Sequence, residues 1–351
     1  MIIHRRKFIK TSAIAGIGLG LSGSVFPGFS KNAIKEGGKI GIIGLDTSHV
    51  VAFTKTINEN QDKSEFEGFQ VVAAYPTKGS ADMPSSIDRL DGFTERLSGM
   101  GIEIVNSVEE LLEIVDVILL ESVDGRRHLE EALPVFKSGK RMFIDKPISN
   151  TMEGAIAIFE LSKQYNVPVF SCSTTRFAPA TLEIKNGKEG LGDILGANTF
   201  GPAGGAIGHL DMAFYGIHGI EALFTLMGPG CKEVIRLDRP SGDMVVGTWN
   251  DGRIGMFNAI PDGGKGGFGA TVFGVDGVEE KVKILAGYDP LLVEIVEYFR
   301  TGVLPLDPAD TLELFAFMAA ADESKAKGGK SVTLESVMDK AQPKARKLLK
   351  A

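Results

Sequence analysis

The chain has 351 residues, of which 43% are hydrophobic and 24% are charged. This is the composition of a globular protein, and the length exceeds what a single hydrophobic core usually supports, which predicts two domains. The formal charge is −7, and with no basic stripe along the chain, nucleic acid is excluded as the expected partner. Two cysteines, Cys172 and Cys231, are too few to indicate a disulfide framework, and both are predicted to be core thiols.

Residues 1–30 have the features of an export signal. A basic start containing Arg5 and Arg6 precedes a small, apolar, glycine-rich run, and this arrangement resembles a twin-arginine signal. An uncleaved N-terminal anchor is the alternative. The segment carries four basic and no acidic residues, so the remainder has a formal charge of −11. We expect a periplasmic protein with no membrane partner after removal of the signal.

Apolar runs typical of buried strands alternate with helical patterns through the next part of the chain. This alternation predicts an α/β fold with a doubly wound, Rossmann-type parallel sheet over residues 38–173. A long polar excursion is expected at 76–92. The predicted strands lie at 39–44, 69–75, 103–105, 115–120, 142–144 and 167–171, and the predicted helices at 50–57, 93–100, 108–114, 129–136 and 151–165.

The pattern changes after residue 192. Strand-like runs dominate, and a tight hairpin turn is expected at 250–252. We therefore predict that residues 174–337 form a C-terminal α/β domain with a large, mostly antiparallel open sheet, whose flat face forms a homo-oligomer. The predicted strands lie at 194–200, 231–237, 244–249, 253–260, 269–275 and 277–285, and the predicted helices at 210–226, 291–301 and 311–327.

The segment 141–149 contains the strongest candidate for chemistry. Its apolar run ends in Asp145, Lys146 and Pro147. Proline has no N–H and keeps the preceding residue extended, so Lys146 is not expected in a helix. Open α/β sheets bind ligands at the carboxyl ends of their strands, so Lys146 is expected to point into a ligand crevice.

The succession of elements, with Asp145-Lys146-Pro147 after the fifth strand and Gly216-Ile217-His218 before a later helix, resembles the Gfo/Idh/MocA oxidoreductases. The resemblance covers nearly all of residues 38–330. It implies binding of NAD or NADP and oxidation of a hydroxyl on a small-molecule substrate, a sugar or polyol.

The resemblance also assigns catalytic roles. Lys146 matches a lysine beside the nicotinamide, where its charge would stabilise a developing alkoxide. His218 matches the histidine that transfers a proton. The aspartate that orients this histidine in the family is Phe214 here, so Asp211 or the phenol of Tyr215 is expected to replace it.

The expected cofactor-binding residues come from the carboxyl ends of several strands. The family fingerprint G-x-G-x-x-G keeps only its first glycine, and Asp46 stands where the diphosphate normally approaches the backbone. No acidic residue follows the second strand, although Lys78 would suit a 2′-phosphate. The predicted set is Gly44, Asp46, Thr47, Ser48, His49, Tyr75, Glu121, Ser122, His128, Asp145, Lys146 and Arg176.

Two other functions remain open at this point. One is an NAD-dependent glycosidase of the same fold, which works through transient oxidation. The other is a non-catalytic sugar-binding protein whose cofactor site has decayed. His209, Asp211 and His218 were also considered as metal ligands, but two histidines and one acid at this spacing are weak evidence, and no metal site is assigned.

Overall fold

The computed structural model describes residue 34, residues 37–261 and residues 267–350. The predicted export signal at 1–30 lies outside these residues. The first sheet of the protein has six parallel strands in the order β3-β2-β1-β4-β5-β6, the order of dinucleotide-binding sheets. The strands are β1 (Lys39–Ile43), β2 (Gln70–Tyr75), β3 (Glu103–Ile104), β4 (Val117–Leu120), β5 (Arg141–Ile144) and β6 (Val169–Phe170).

Helices cover both faces of this sheet, and all four residues of β4 are buried. Continuous apolar runs form such strands because both faces of a parallel sheet are covered. The predicted doubly wound sheet is therefore confirmed. Its helices are α1 (His49–Glu59), α2 (Pro84–Gly99), α3 (Val108–Ile114), α4 (His128–Ser138) and α5 (Met152–Tyr165).

Helix α2 corrects the prediction of a long polar excursion at 76–92. The helix begins at Pro84, in the first turn, where the missing N–H of proline has no cost. Only Ser86 and Leu97 are buried within it. Because so few apolar residues mark its inner face, the hydrophobic pattern did not reveal the first half of the helix.

The second sheet has seven strands in the order β12-β11-β7-β10-β9-β8-β13. Only β10 and β7 pair in parallel, and the other neighbours are antiparallel, which confirms the mostly antiparallel prediction. The strands are β7 (Ile194–Pro202), β8 (Cys231–Leu237), β9 (Met244–Trp249), β10 (Ile254–Ile260), β11 (Gly269–Gly274), β12 (Val278–Val282) and β13 (Val332–Thr333).

Six helical segments accompany the second sheet in the described part of the chain, and four of them differ from expectation. The helix expected at 210–226 begins only at Ile217, and the segments at 174–177, 179–185 and 334–348 were not predicted. This last helix runs beyond residue 337, and none of the described helices is long and apolar enough to cross a membrane. The segments are a 3-10 helix (Thr174–Phe177), α6 (Pro179–Lys185), α7 (Ile217–Met227), α8 (Asp289–Thr301), α9 (Pro308–Ala326) and α10 (Leu334–Leu348).

Strand pairing sets the position of the candidate site. The ends of β1, β4 and β5 are adjacent, because Glu121 N–H donates to Ile43 O at 2.7 Å and Asp145 N–H donates to Leu120 O at 2.8 Å. Helix α8 returns to this sheet and packs in the same core as β1 and β5. Residues that follow the three strands therefore share one edge with the start of α8.

Candidate functional site

A cavity of about 550 Å³ opens at the carboxyl edge of the first sheet. Its volume falls within the range of small-molecule sites. Lys146 from the end of β5 and His218 from α7 both line it, although they are far apart in the chain. Its other walls come from the β1–α1 loop, α2, the segment before α7 and the start of α8, and include Thr47, Ser48, His49, Ser85, Arg89, Val123, Asp145, Cys172, Thr174, Phe214, Tyr215, Phe268, Leu285, Gly287, Tyr288 and Leu291.

Gly44 allows the β1–α1 loop to lie against the end of β4. Its φ is +85°, and a Cβ there would lie 2.1 Å from Ser122 Oγ. A glycine is required both for this positive φ and for the close approach. The glycine at this position therefore has a clear structural reason.

Asp46, at the second glycine position of the fingerprint, turns away from the cavity. It is fully buried, accepts a hydrogen bond from Val123 N–H at 2.8 Å and accepts another from the Ser86 hydroxyl. Burial raises the pKa of this carboxyl, an effect that the bonds from Ser86 and Val123 only partly offset. The loop therefore presents Thr47, Ser48 and His49 to the cavity, and no free carboxylate from Asp46.

The start of α1 and Arg89 of α2 form a place for an anion. Ser48 is the N-cap of α1, and its side chain makes no capping hydrogen bond. Arg89 Nη2 is buried and has no hydrogen-bond partner among the described residues. Ser85 and Arg89 both line the cavity, so hydroxyl, guanidinium and helix N–H groups are available together. The sequence analysis missed Ser85 and Arg89 because it read their segment as a loop.

Three ionisable side chains, two of which line the cavity, meet beside it. The Nδ1 atom of His49 lies 2.7 Å from Asp145 Oδ2. Glu121, one strand away, is fully buried, and neither of its carboxylate oxygens has a hydrogen-bond partner among the residues that the structure describes. Burial, and then the nearby Asp145 carboxylate, raise the pKa of Glu121 well above its usual range. Burial acts in the same direction on Asp145, but His49 and Lys146 outweigh it and lower the pKa of Asp145 to about 2.

Lys146 is held at the cavity wall by its backbone. Its N–H donates to Asp145 Oδ1 at 2.8 Å, and the Lys146–Pro147 peptide bond is cis. The Nζ atom lies 5.9 Å from the centre of the Phe214 ring, within range of a cation–π interaction. Phe214 therefore faces the lysine.

His218 has an orienting partner that the sequence analysis did not identify. Its Nδ1 lies 2.7 Å from Ser173 Oγ. Tyr215 packs edge-on against the ring at 5.7 Å, and its side chain is exposed. Asp211 binds Arg236 and Lys325 instead. Burial, followed by the charges of Lys146 and His49, lowers the pKa of His218 well below its usual range, so the imidazole is neutral at neutral pH.

Several predicted cofactor residues lie away from the cavity surface. Arg176 is buried in an ion pair with Glu221. His128 is fully buried, with Nε2 2.6 Å from Ser122 O and Nδ1 3.2 Å from Ile148 O. The side chain of Tyr75 packs against the core. These three side chains were expected to contact the cofactor. In the structure Arg176 and His128 bind other residues of the chain, and Tyr75 packs in the core.

The residues considered as metal ligands in the sequence analysis do not converge. His209 Nε2 accepts a hydrogen bond from Gly125 N–H at 3.1 Å and lies 3.5 Å from Asp124 Oδ1. Asp211 belongs to the Arg236 network, and His218 binds Ser173. Each has a different partner, so the three do not form a common site.

Comparison with solved structures identifies the fold. An oxidoreductase from Thermotoga maritima matches with a TM-score of 0.67 and 18% identity, over 86% of this chain and 99% of that one. Scyllo-inositol dehydrogenase from Lactobacillus casei, crystallised with NAD(H) and scyllo-inositol, matches with a TM-score of 0.65 and 16% identity, over 86% and 100% of the two chains. An oxidoreductase from Agrobacterium radiobacter, in complex with NAD+, L-tartaric acid and magnesium, matches with a TM-score of 0.67 and 14% identity, over 86% and 99%.

The chain thus has the two-part fold of these oxidoreductases over most of its length. At such low identity the likeness establishes the fold and no substrate. No family model matches the sequence, and no curated protein does. The resemblance inferred from the sequence is supported at the level of architecture.

Proposed function

We propose that this protein is an NAD- or NADP-dependent oxidoreductase that acts on a hydroxyl group of a sugar or polyol. The main support for this proposal is that Lys146, His218 and Arg89 line the same cavity. It combines a cation, a neutral imidazole and an anion-binding group at the carboxyl edge of a Rossmann-type sheet. The fold shared with dehydrogenases supports the same reaction class.

The residues at the β1–α1 loop fit a dinucleotide. Ser48, Arg89 and the N-terminus of α1 would hold the diphosphate, because the guanidinium nitrogen of Arg89 is buried without a partner and the side chain of Asp46 is turned inward. The aromatic side chains of Phe214 and Tyr288 give the cavity apolar surface. The bound nicotinamide would supply the hydride acceptor or donor.

His218 is the group that would take the hydroxyl proton. Its low pKa keeps the imidazole neutral, and the Ser173 hydroxyl can donate to Nδ1 or accept from it. Nε2 is therefore able to act as base or acid as the ring exchanges tautomer. Lys146 would stabilise negative charge on the substrate oxygen as its proton leaves. Tyr215, next to the ring, would bind the substrate and help to close the site.

Calorimetric titration of the purified chain with NAD(H) and NADP(H) tests the proposal first, and turnover of a panel of polyols and sugars tests it second. We expect binding of at least one cofactor and cofactor-dependent oxidation. Lys146→Met and His218→Asn are expected to lose at least about 100-fold in kcat, in the range of general acid–base catalysis. Lys137→Met, on the outer end of α4, is the matched control and is expected to retain activity.

The alternatives give different results in these assays. A glycosidase would release nitrophenol from nitrophenyl glycosides without net reduction of added NAD. A non-catalytic sugar-binding protein would bind sugar without turnover, and the Lys146 and His218 substitutions would leave that binding unchanged. Failure of both cofactors to bind would refute the redox mechanism.

We further propose that the protein is exported and forms a homo-oligomer. Arg5 and Arg6 near the start of the chain support export by the twin-arginine route. The second sheet exposes large apolar side chains, and exposed apolar surface of this kind supports an interface between copies. They include Leu195, Ile235, Leu237, Ile254, Phe273 and Val278. Fractionation of cells and analytical ultracentrifugation test the two statements, and a monomer at micromolar concentration would refute the second.

A further inference from the structure

His49, Glu121 and Asp145, which the sequence predicts as cofactor-binding residues, form a compact cluster of side chains. Glu121 and Asp145 directly follow the neighbouring strands β4 and β5, and His49 is the first residue of α1, which follows β1. One ligand-type atom of each lies within 4.8 Å of those of the other two. They are one imidazole and two carboxylates, the donor types that hold divalent transition metals.

Glu121 provides an independent reason to expect a bound cation. Its side chain is 0% exposed, and within residues 37–261 and 267–350 both carboxylate oxygens lack a hydrogen-bond partner. A buried carboxylate without a donor is costly, and an ion that binds both oxygens or one of them would satisfy it. Glu131 makes the contrast clear, because it is also buried but one of its oxygens binds Arg127 at 2.8 Å.

The orientation of the other two side chains fits the same ion. His49 Nδ1 and Asp145 Oδ2 lie 2.7 Å apart as a hydrogen-bonded pair. An ion that replaces the shared proton would bind both atoms after a small separation, since two ligands at about 2.0–2.2 Å from one ion lie about 3.0–3.5 Å apart. Stacking on Phe53 at 5.2 Å fixes the plane of the His49 ring. Asp145 Oδ1 is held by the Lys146 N–H, as an outer hydrogen bond holds a ligand in place.

We propose that His49, Glu121 and Asp145 bind one divalent transition-metal ion, such as Zn²⁺, Mn²⁺ or Co²⁺, beside the cavity. His49 and Asp145 both line the cavity, so the ion has an open side toward the ligand space. An ion there would polarise a substrate oxygen as a Lewis acid. The site stands on these three residues and does not depend on nicotinamide binding.

The test uses the full chain, first as purified and then after removal of metal by a chelator. Metal content of the purified protein is measured by plasma mass spectrometry, and Co²⁺ and Zn²⁺ are titrated into the stripped protein with calorimetry and visible absorption. We expect one ion per chain and a Co²⁺ d–d spectrum that Zn²⁺ abolishes. Absence of Zn²⁺, Mn²⁺ and Co²⁺ binding at millimolar concentration would overturn the proposal.

Two variants locate the ion. Glu121→Gln keeps the side-chain volume and removes the charge, and His49→Gln removes the imidazole; each is expected to weaken Co²⁺ affinity at least 10-fold. Glu131→Gln is the matched control, with unchanged affinity. Equal affinity of wild type, E121Q and H49Q would place the ion elsewhere and refute the site. Melting curves establish that each variant is folded, and NAD(H) titration of stripped protein keeps this result separate from the redox proposal.

Discussion

Arg89→Met should weaken the binding of NAD or NADP. In the structure Arg89 is anchored by its Nε to the Ser85 carbonyl, while Nη2 is buried at the cavity without a partner. A hydrogen bond between charged groups contributes about 1.5–3 kcal/mol. Since about 1.4 kcal/mol is a factor of ten in affinity, the expected loss is about 10- to 100-fold in Kd, with little change in kcat at saturating cofactor.

The assay is calorimetric titration of the better-bound cofactor at fixed ionic strength. Arg96→Met is the matched control, because Arg96 is on the same helix but exposed and outside the cavity. Thermal melting shows whether the substitution has changed the fold. A Kd of Arg89→Met within twofold of wild type, with Arg96→Met behaving alike, would refute the placement of the diphosphate at the start of α1.

Three further substitutions test how the fold and the site are held. Arg176→Met leaves the Glu221 carboxylate buried without its partner and should lower the free energy of unfolding by about 3–5 kcal/mol. Urea unfolding measures this loss, and most of it should be recovered in the double variant R176M/E221L, which has no buried charge at this position. Gly44→Ala should cost about 2–5 kcal/mol, from positive-φ strain and the clash with Ser122, whereas Gly139→Ala, with positive φ and open space around it, should cost about 1 kcal/mol. His218→Asn should make the free energy of unfolding depend less on pH below about pH 6.5. The pKa of His218 in the folded protein lies below its unfolded value near 6.5, so the stability that the neutral imidazole allows is fully present above about pH 6.5. In wild type this stability is lost as the pH falls from about 6.5 toward the folded pKa, by up to about 1.4 kcal/mol per pH unit. Urea unfolding at several pH values measures this dependence. An equal change in the free energy of unfolding per pH unit for wild type and His218→Asn would contradict the expectation.

The sequence by itself determined the alternation of strands and helices in the first sheet and the ends of the strands that deliver the candidate groups. Local pattern was sufficient for this, since a buried parallel strand is a continuous apolar run and Pro147 fixes where β5 must end. It also placed Lys146 at the end of β5, whereas His218, expected inside a helix at 210–226, lies in the first turn of α7. The same local reasoning found only the second half of α2, because the buried residues of this helix, Ser86 and Leu97, carry almost no hydrophobic signal.

Tertiary structure alone decided which of these groups meet. Ser173 became the partner of His218, Arg89 reached the β1–α1 loop, and Arg176 was paired with Glu221 away from the cavity. Each of these contacts joins residues far apart in the chain, and a pattern read along the sequence has no access to their separation in space. The buried, unpartnered Glu121 is of the same kind: its identity is read in the sequence, but its lack of a hydrogen-bond donor is a property of the packed fold.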